Sequence, residues 1–455
     1  IAQLSTHGDN ISREGDEDDG YRNRTGSATV TWTPAPQLQL STSLRDVDSR
    51  ADFDGTDFST GLPTDADNTS HSRQRYGRIA VQFRSDDGLW EHMADYSIAA
   101  TRNRNRSENA FTDVGFDETR NRGERELVTL QSTRTLDLGA LEQSVTGAYE
   151  HQREAYSQRG AASVFGDPNR DESLRSNSLI SEYRASLGPW SAQASLRRDR
   201  NNAFRNSGAE RLGVVYDIAD TDTRLRASYG TGVKNPSFVE RFGFFTSFIG
   251  NPDLKPERSR GWEAGIDQTL AGGRVVLSAT GFNERLRDEI NGFVLADPAL
   301  FTFTADNEAG TSIRRGVETS ARWQASDSLA LRAAYTYLDS RQPDAVGGRE
   351  REVRRPRHTG SAGLNWAFAD TRANLDIAVD YNGRQLDFFF PPVPPFQETV
   401  TLDAFLLLHL ALSYQLTPQW QVFGRVENAL DETYEEVFGF RSPNRAAIAG
   451  VRYRF

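Results

Sequence analysis

Apolar and polar residues alternate with period two along most of this chain, the pattern of β-strands with one apolar and one polar face. In 23–33 the apolar positions are Ala28, Val30 and Trp32, and 37–45 answers with Leu38, Leu40 and Leu44. The stretch 74–84 carries Tyr76, Ile79, Val81 and Phe83, and Trp90, Met93, Tyr96 and Ile98 follow the Asp86-Asp87-Gly88 turn. The final stretch, 446–455, sets Val451, Tyr453 and Phe455 against Gly450, Arg452 and Arg454, with Ala447 and Ala449 extending the apolar set. It stops on an aromatic ring. A strand with lipid on its apolar face and its last ring at the membrane interface explains that ending. A C-terminal strand in a soluble β-sandwich is the alternative.

The connections separate these readings. Short turns fall at 34–36, 86–88, 138–139, 188–189, 219–222, 271–273, 326–327, 369–370 and 416–418, and polar loops lie between them on the other side. One such loop is predicted at 46–71, rich in aspartate. Strands of about 10–15 residues suit tilted membrane strands better than sandwich strands of about 5–6. Short turns on one side and long loops on the other are the habit of transmembrane barrels. Trp32, Trp90, Trp190, Trp262, Trp323, Trp366 and Trp420 are predicted near short turns, as an interfacial girdle requires. The fold expected is all-β, a transmembrane antiparallel barrel of roughly 20 strands.

Composition narrows the function. The 455 residues are 37% hydrophobic with a mean hydropathy of -0.63, and no run reaches the ~18–20 apolar residues of a membrane helix. Barrels escape that test because half of each strand faces a wet lumen. There is no cysteine, so disulfides, thiol catalysis and thiolate metal sites are excluded. A net charge of -11 makes nucleic acid a poor partner. The six histidines (His7, His71, His92, His151, His358, His409) show no metal spacing. No nucleophile elbow or phosphate-binding glycine loop occurs, and no enzyme is expected. The chain opens inside a strand, with no signal peptide before Ile1.

Tyr229-Gly-Thr-Gly-Val-Lys-Asn-Pro-Ser-Phe238 is followed by Gly250-Asn-Pro-Asp-Leu-Lys-Pro-Glu-Arg-Ser259, then Trp262 and Glu263. Further on come Asp306-Asn307-Glu308, Arg315-Gly316-Val317-Glu318 and 426–434, ending at Tyr434. Together with the aromatic terminal strand, these resemble the barrel of TonB-dependent outer-membrane receptors over essentially the whole of 1–455. Within that family Tyr434, Phe438-Gly439-Phe440 and His7-Gly8 with its acidic loop are most similar to vitamin B12 (cobalamin) receptors. Siderophore receptors share most of these features.

The resemblance implies a bacterial outer-membrane location, contact with membrane lipid, and uptake of a scarce solute such as cobalamin, a ferric siderophore or haem. A passive plugless pore is the alternative. It implies a family plug, which does not read out of this chain, and a TonB box, absent with it, so TonB would act only through a missing plug. Against the roughly 22 strands of the family, the first two are expected to be absent. The first strand, 1–6, is then expected to meet the last through a gap or a short, irregular pairing. Val451, Tyr453 and Phe455 are the expected signal for the barrel assembly machinery.

Candidate residues follow. Lys234, Pro236, Asn251, Pro252, Leu254, Pro256 and Glu257 carry the family motif. The prolines hold an extended crossing between two strands, and Lys234 and Glu257, at its ends, are placed to form an ion pair. Phe242, Phe244, Phe245 and Phe248 in this loop, and Phe388, Phe389 and Phe390 in another, are candidate ligand contacts, since loops have little core to pack into. No cofactor is required. By likeness to cobalamin receptors, Asp9, Glu17, Asp19, Asp52 and Asp67 are candidate ligands for a structural calcium ion, which takes about 6–8 oxygens. A solvated acidic surface is the other reading.

Overall fold

The computed structural model describes residues 2–454 apart from 13–14, 58, 109–114, 164–165, 246–247, 298, 300–301 and 345. One antiparallel sheet of 21 strands runs from Ala2–Thr6 to Ala446–Tyr453. Successive staves pair with their neighbours, as in an up-and-down barrel wall. Twenty of the strands are staves, and the short Arg349–Arg351 pairs beside one of them, so the expected count of roughly 20 matches the wall.

The staves are unequal. Leu38–Asp57 has 20 residues, and Leu62–Arg84 and Phe116–Leu138 have 23 each, against 8 in Trp420–Glu427. The polar loop expected at 46–71 is therefore a paired hairpin, with Asp46 opposite Arg75 and Asp52 opposite Thr69. Its physical reason is that ladder hydrogen bonds are made by backbone alone. Above the lipid a strand needs no apolar alternation, so the pattern that finds strands ends before the strand does.

The faces divide as expected. Val30, Trp32, Leu44, Ile79 and Leu130 are exposed on the outward face. The inward face carries guanidinium–carboxylate pairs such as Arg226–Asp267 at 3.2 Å and Arg332–Asp376 at 2.9 Å. Six of the tryptophans lie at the short-turn end. Trp262 differs: it is the sixth residue of Glu257–Leu270 and pairs with Tyr229, nearer the loop end.

Among the described residues no ladder joins Ala2–Thr6 to Ala446–Tyr453. The two ends of the sheet meet through loops, by an isolated Ser12–Phe440 bridge and a 2.7 Å bond from the Arg441 N–H to the Ile11 carbonyl. Ile1 and Phe455, two residues of the expected closure and assembly signal, lie outside the described residues. Val451 and Tyr453 are exposed on the last strand.

Two small sheets lie in the loops of the second half. One has four strands, Phe244–Phe245, Phe248–Ile249, Ile290–Asp297 and Thr302–Asn307; the other pairs Gln385–Phe389 with Glu398–Leu402.

Candidate functional site

The proline-rich crossing is built by local capping. Ser237 begins the short helix Phe238–Phe242, accepting from the Glu240 N–H, while the Glu240 carboxylate accepts from the Ser237 N–H at 2.6 Å. This reciprocal box satisfies two N–H groups that a helix start leaves open. Lys234 Nζ meets Glu257 at 2.8 Å, the ion pair that the spacing placed at the two ends. Glu257 also accepts the Ile290 N–H at 2.8 Å, so it ties this loop to the next one. Asn251 donates to the Ala305 carbonyl at 3.1 Å, and Asn307 brackets Lys255 by accepting from its N–H and donating to its carbonyl. Pro252 offers its carbonyl to Arg241, and Pro236 is buried.

Leu254 is buried with Phe248, Phe303 and Ala305, and Ile290, Leu295 and Phe390 pack against them. The loops therefore carry a core of their own, contrary to the expectation that they have little to pack into. The two small sheets make this possible, because they satisfy backbone groups that a buried loop would otherwise strand. Gln158, 1% exposed on Leu141–Arg159, anchors the assembly to the wall. Its side-chain amide donates to the Phe244 carbonyl and accepts from the Phe244 N–H at 3.1 Å.

The two phenylalanine runs converge. Phe245, Phe248, Phe388, Phe389 and Phe390 line one cavity of about 390 Å³. Phe242 and Phe244 do not line it: Phe242 packs on Phe238 and Arg241, and Phe244 is buried beside Gln158. Phe293 and Phe303, stacked at 4.2 Å, complete the wall, with Phe390 edge-on to Phe303 at 5.7 Å. Gly61 and Pro63 from the tall hairpin, and Phe438 and Phe440 from the last loop, close the other side. Gly61 has φ +74°, and a Cβ there would lie 2.4 Å from the Phe390 carbonyl oxygen, so only glycine fits. Of the residues that sequence reasoning did not assign to this site, Phe293 and Phe303 had a signal in their shared aromatic-rich insertion, whereas Arg354 had none.

Arg354 lines the cavity and is held by Asp387, 2.7 Å from Nε. Asp387 is 0% exposed and also accepts the Phe388 and Phe438 N–H groups at 2.8 Å each. One carboxylate thus joins three loops. A half-exposed guanidinium among phenyl rings suits a ligand with an apolar body and a negative group.

The second site is acidic. Glu17, Asp19, Asp52, Asp54, Asp65 and Asp67 repel one another near the top of the tall hairpin, well beyond the apolar belt. Burial, then the charges of Asp19, Asp65 and Glu17, push Asp54 up to about 6. Burial, with Asp52 next, also raises Asp19, and burial, with Asp67 next, raises Glu17. Asp65 goes the other way, lowered mainly by the Asp16 and Glu17 N–H groups that it accepts at 2.8 and 3.1 Å. Asp9 is exposed and stands outside this repelling set. Among the described residues, both oxygens of Asp54 and one of Asp19 are buried without a hydrogen-bond partner. Among the described residues no three His, Asp or Glu side chains are already arranged to hold a metal ion.

A family model described as "TonB dependent receptor-like, beta-barrel" matches residues 5–429. This chain belongs to the TonB-dependent receptor family. Its barrel lies in the bacterial outer membrane, and the loop end is the extracellular one. Among curated relatives, the vitamin B12 transporter BtuB of Photobacterium profundum is 26% identical over an alignment of 453 residues that covers 96% of this chain. The chain spans 66% of that relative's length. The ferripyoverdine receptor of the Pseudomonas aeruginosa outer membrane superposes with a TM-score of 0.77 at 14% identity, over 99% of this chain and 66% of that one. The siderophore receptor PirA from Acinetobacter baumannii gives 0.76 at 14%, over 98% and 72%. Identities this low show the receptor barrel fold and leave the ligand open.

Proposed function

We propose that this receptor captures a scarce, large solute at its extracellular mouth for energy-coupled import, with cobalamin as the ligand. The observation that carries the reading is the cavity in which phenylalanines from separate loops meet the tall hairpin. Concave, mainly apolar sites with a few fixed polar groups are the usual form of small-molecule sites. The likeness to a vitamin B12 transporter supports cobalamin. A ferric siderophore is the second reading, favoured by the fold neighbours and by Arg354 in the cavity wall. The barrel wall and loops do the binding, no chemical conversion is involved, and TonB acts through a plug domain of the receptor.

The acidic cluster fits calcium by its chemistry. Glu17, Asp19, Asp52, Asp54 and Asp67 offer hard oxygens, and among the described residues buried oxygens of Asp19 and Asp54 have no hydrogen-bond partner. Bound calcium would give them one. The same hairpin brings Gly61 and Pro63 to the cavity, so ordering its tip shapes the ligand site.

Calorimetric titration of the detergent-extracted receptor with cyanocobalamin, haem and a ferric siderophore tests this. Cobalamin binding that strengthens at millimolar calcium, and loses that gain in Asp19→Asn, is the expected result. Tight binding of the ferric siderophore alone moves the assignment to the second reading, and binding of none of the three ends both.

A further inference from the structure

On six adjacent strands of the first half, one row of inward side chains consists of amides and hydroxyls alone. Asn23 stands opposite Ser49, Ser49 opposite Ser72, Ser72 opposite Asn103, Asn103 opposite Asn121, and Asn121 opposite Gln158. The row above it, toward the loop ends, runs from Tyr21 through Ser70 and Asn105 to Thr119. The row below runs from Thr25 through Gln74 and Thr101 to Tyr156. None of these residues is charged, in a chain that is 26% charged. Charge returns one row lower, at Arg45, Arg125 and Glu154, and on the next strand, at Arg170 and Glu172.

The other face of the same strands is the contrast. Successive residues of a strand point to opposite faces, so Arg24, Asp48, Arg73, Arg102 and Arg122, which lie between two of these rows, face outward. Both faces are polar, so solvation alone does not account for charge on one and none on the other.

Bonds within the rows hold the groups in place. The Ser70 hydroxyl donates to Asn105 Oδ1 at 2.8 Å, and the Thr25 hydroxyl to Asn23 Oδ1 at 2.9 Å. With its oxygen taken, Asn105 has its NH2 group to offer. Such a face presents donors and acceptors side by side, and a primary carboxamide, which also does both, is its complement. A carboxylate only accepts. It leaves the acceptors of the face without donors, and the rows hold no cation to compensate its charge.

The face is continuous with the phenylalanine cavity. Gln158, last in its row, binds both backbone groups of Phe244, and Tyr156 stacks on Phe238 at 5.7 Å. At ~4.8 Å between strands and ~3.4 Å per residue, the three rows span roughly 24 by 14 Å. Cobalamin is larger than the drug-sized ligands that fill pockets of ~300–1,000 Å³, so a cavity of about 390 Å³ holds only part of it. A ring rimmed with carboxamides needs a second surface, and this one adjoins the first.

We propose, on the cobalamin reading above, that these rows bind the neutral amide rim of the corrinoid while an apolar part of it enters the phenylalanine cavity. Asn103, Asn105 and Asn121, near the centre of the face, are the specificity residues, and the lack of a cation among the rows disfavours an anionic iron chelate.

Calorimetric titration of the detergent-extracted receptor with cyanocobalamin and with its monocarboxylic acids, each carrying one carboxylate in place of an amide, tests this. The acids should bind about tenfold more weakly than cyanocobalamin, or worse. The Asn103→Ala/Asn105→Ala/Asn121→Ala variant should lose about tenfold or more in cyanocobalamin affinity, and most of the preference for amide over acid. The Arg102→Ala/Arg122→Ala variant, altered on the other face of the same strands, should keep both, and heat-modifiable gel mobility should be unchanged in each. A folded asparagine variant that binds and discriminates like the unaltered receptor overturns the assignment and leaves cobalamin as the ligand. So do acids that bind the unaltered receptor as tightly as cyanocobalamin. No cyanocobalamin binding by the unaltered receptor overturns both.

Discussion

The two halves of the barrel reach outward by different means. In the first half, Leu38–Asp57 and Leu62–Arg84 simply continue past the membrane as a ladder, and their exposed faces are charged. In the second half the staves stop early, and the chain beyond them folds into small sheets around Phe248, Leu254 and Phe303. A continued ladder is held by backbone groups and accepts almost any side chain that water accepts. A folded insertion must bury apolar surface and satisfy each buried polar group, so it depends on single residues. The mouth of the receptor joins a tolerant wall to a demanding one, and the cavity lies where they meet.

The largest expected effect tests that dependence. Phe303 is 3% exposed and packs against Phe293 and Phe390. Phe303→Ala should cost about 3–5 kcal/mol within the inserted sheets. Hydrogen exchange at 290–307 should then quicken by about a hundredfold or more. Exchange at 38–84 should not change. Quickening of the tall hairpin to the same degree would show that the halves form one cooperative unit and break the comparison.

A smaller effect is expected at Asp387, which serves Arg354 and two N–H groups from a fully buried position. Asp387→Asn keeps the shape and removes the charge, at a cost of about 1.5–3 kcal/mol for a charged hydrogen-bond acceptor. Proteolysis should open the loops around 354 and 438, and ligand affinity should fall roughly tenfold or more. If Arg354→Ala and Asp387→Asn lose affinity additively in the double variant, the two residues do not act as one latch.

Much of the wall was readable in the sequence because lipid imposes alternation on every stave it touches. Val30 with Trp32 and Ile79 with Val81 marked their strands for that reason. The pattern ends where lipid stops acting: 46–71 carries no alternation and reads as a loop, although the ladder continues through it. At the mouth, Lys234 and Glu257 were readable because prolines fixed the path between them. Convergence of Phe245 and Phe248 with Phe388, Phe389 and Phe390 was not, since it depends on how two distant insertions fold over each other. Asp387 gave no signal either. A single aspartate before three phenylalanines reads as an ordinary solvent-facing side chain until the fold brings Arg354 and the Phe438 N–H to it.

The smallest effect is a pH dependence confined to the tall hairpin. Asp54 is pushed up to about 6, chiefly by burial and by the charges of Asp19 and Asp65. A carboxyl raised in the folded state holds a proton that the unfolded chain has lost. Its stabilising contribution is complete below the ordinary value near 3.8 and is lost as pH rises through about 6. Without calcium, therefore, the tip of the hairpin should resist proteolysis better at pH 5 than at pH 7.5. With calcium the sign reverses, because the proton must leave before the carboxylate can bind the ion, and apparent affinity should fall up to tenfold per pH unit below about 6 for a single proton released. Asp54→Asn should flatten both trends while exchange around Phe303 stays as it was. A calcium-free trend that persists in this variant would assign the titration to Glu17 or Asp19, which burial and then the same repulsion raise. A trend that reached the inserted sheets would mean that the charged ladder and the aromatic core do not respond separately.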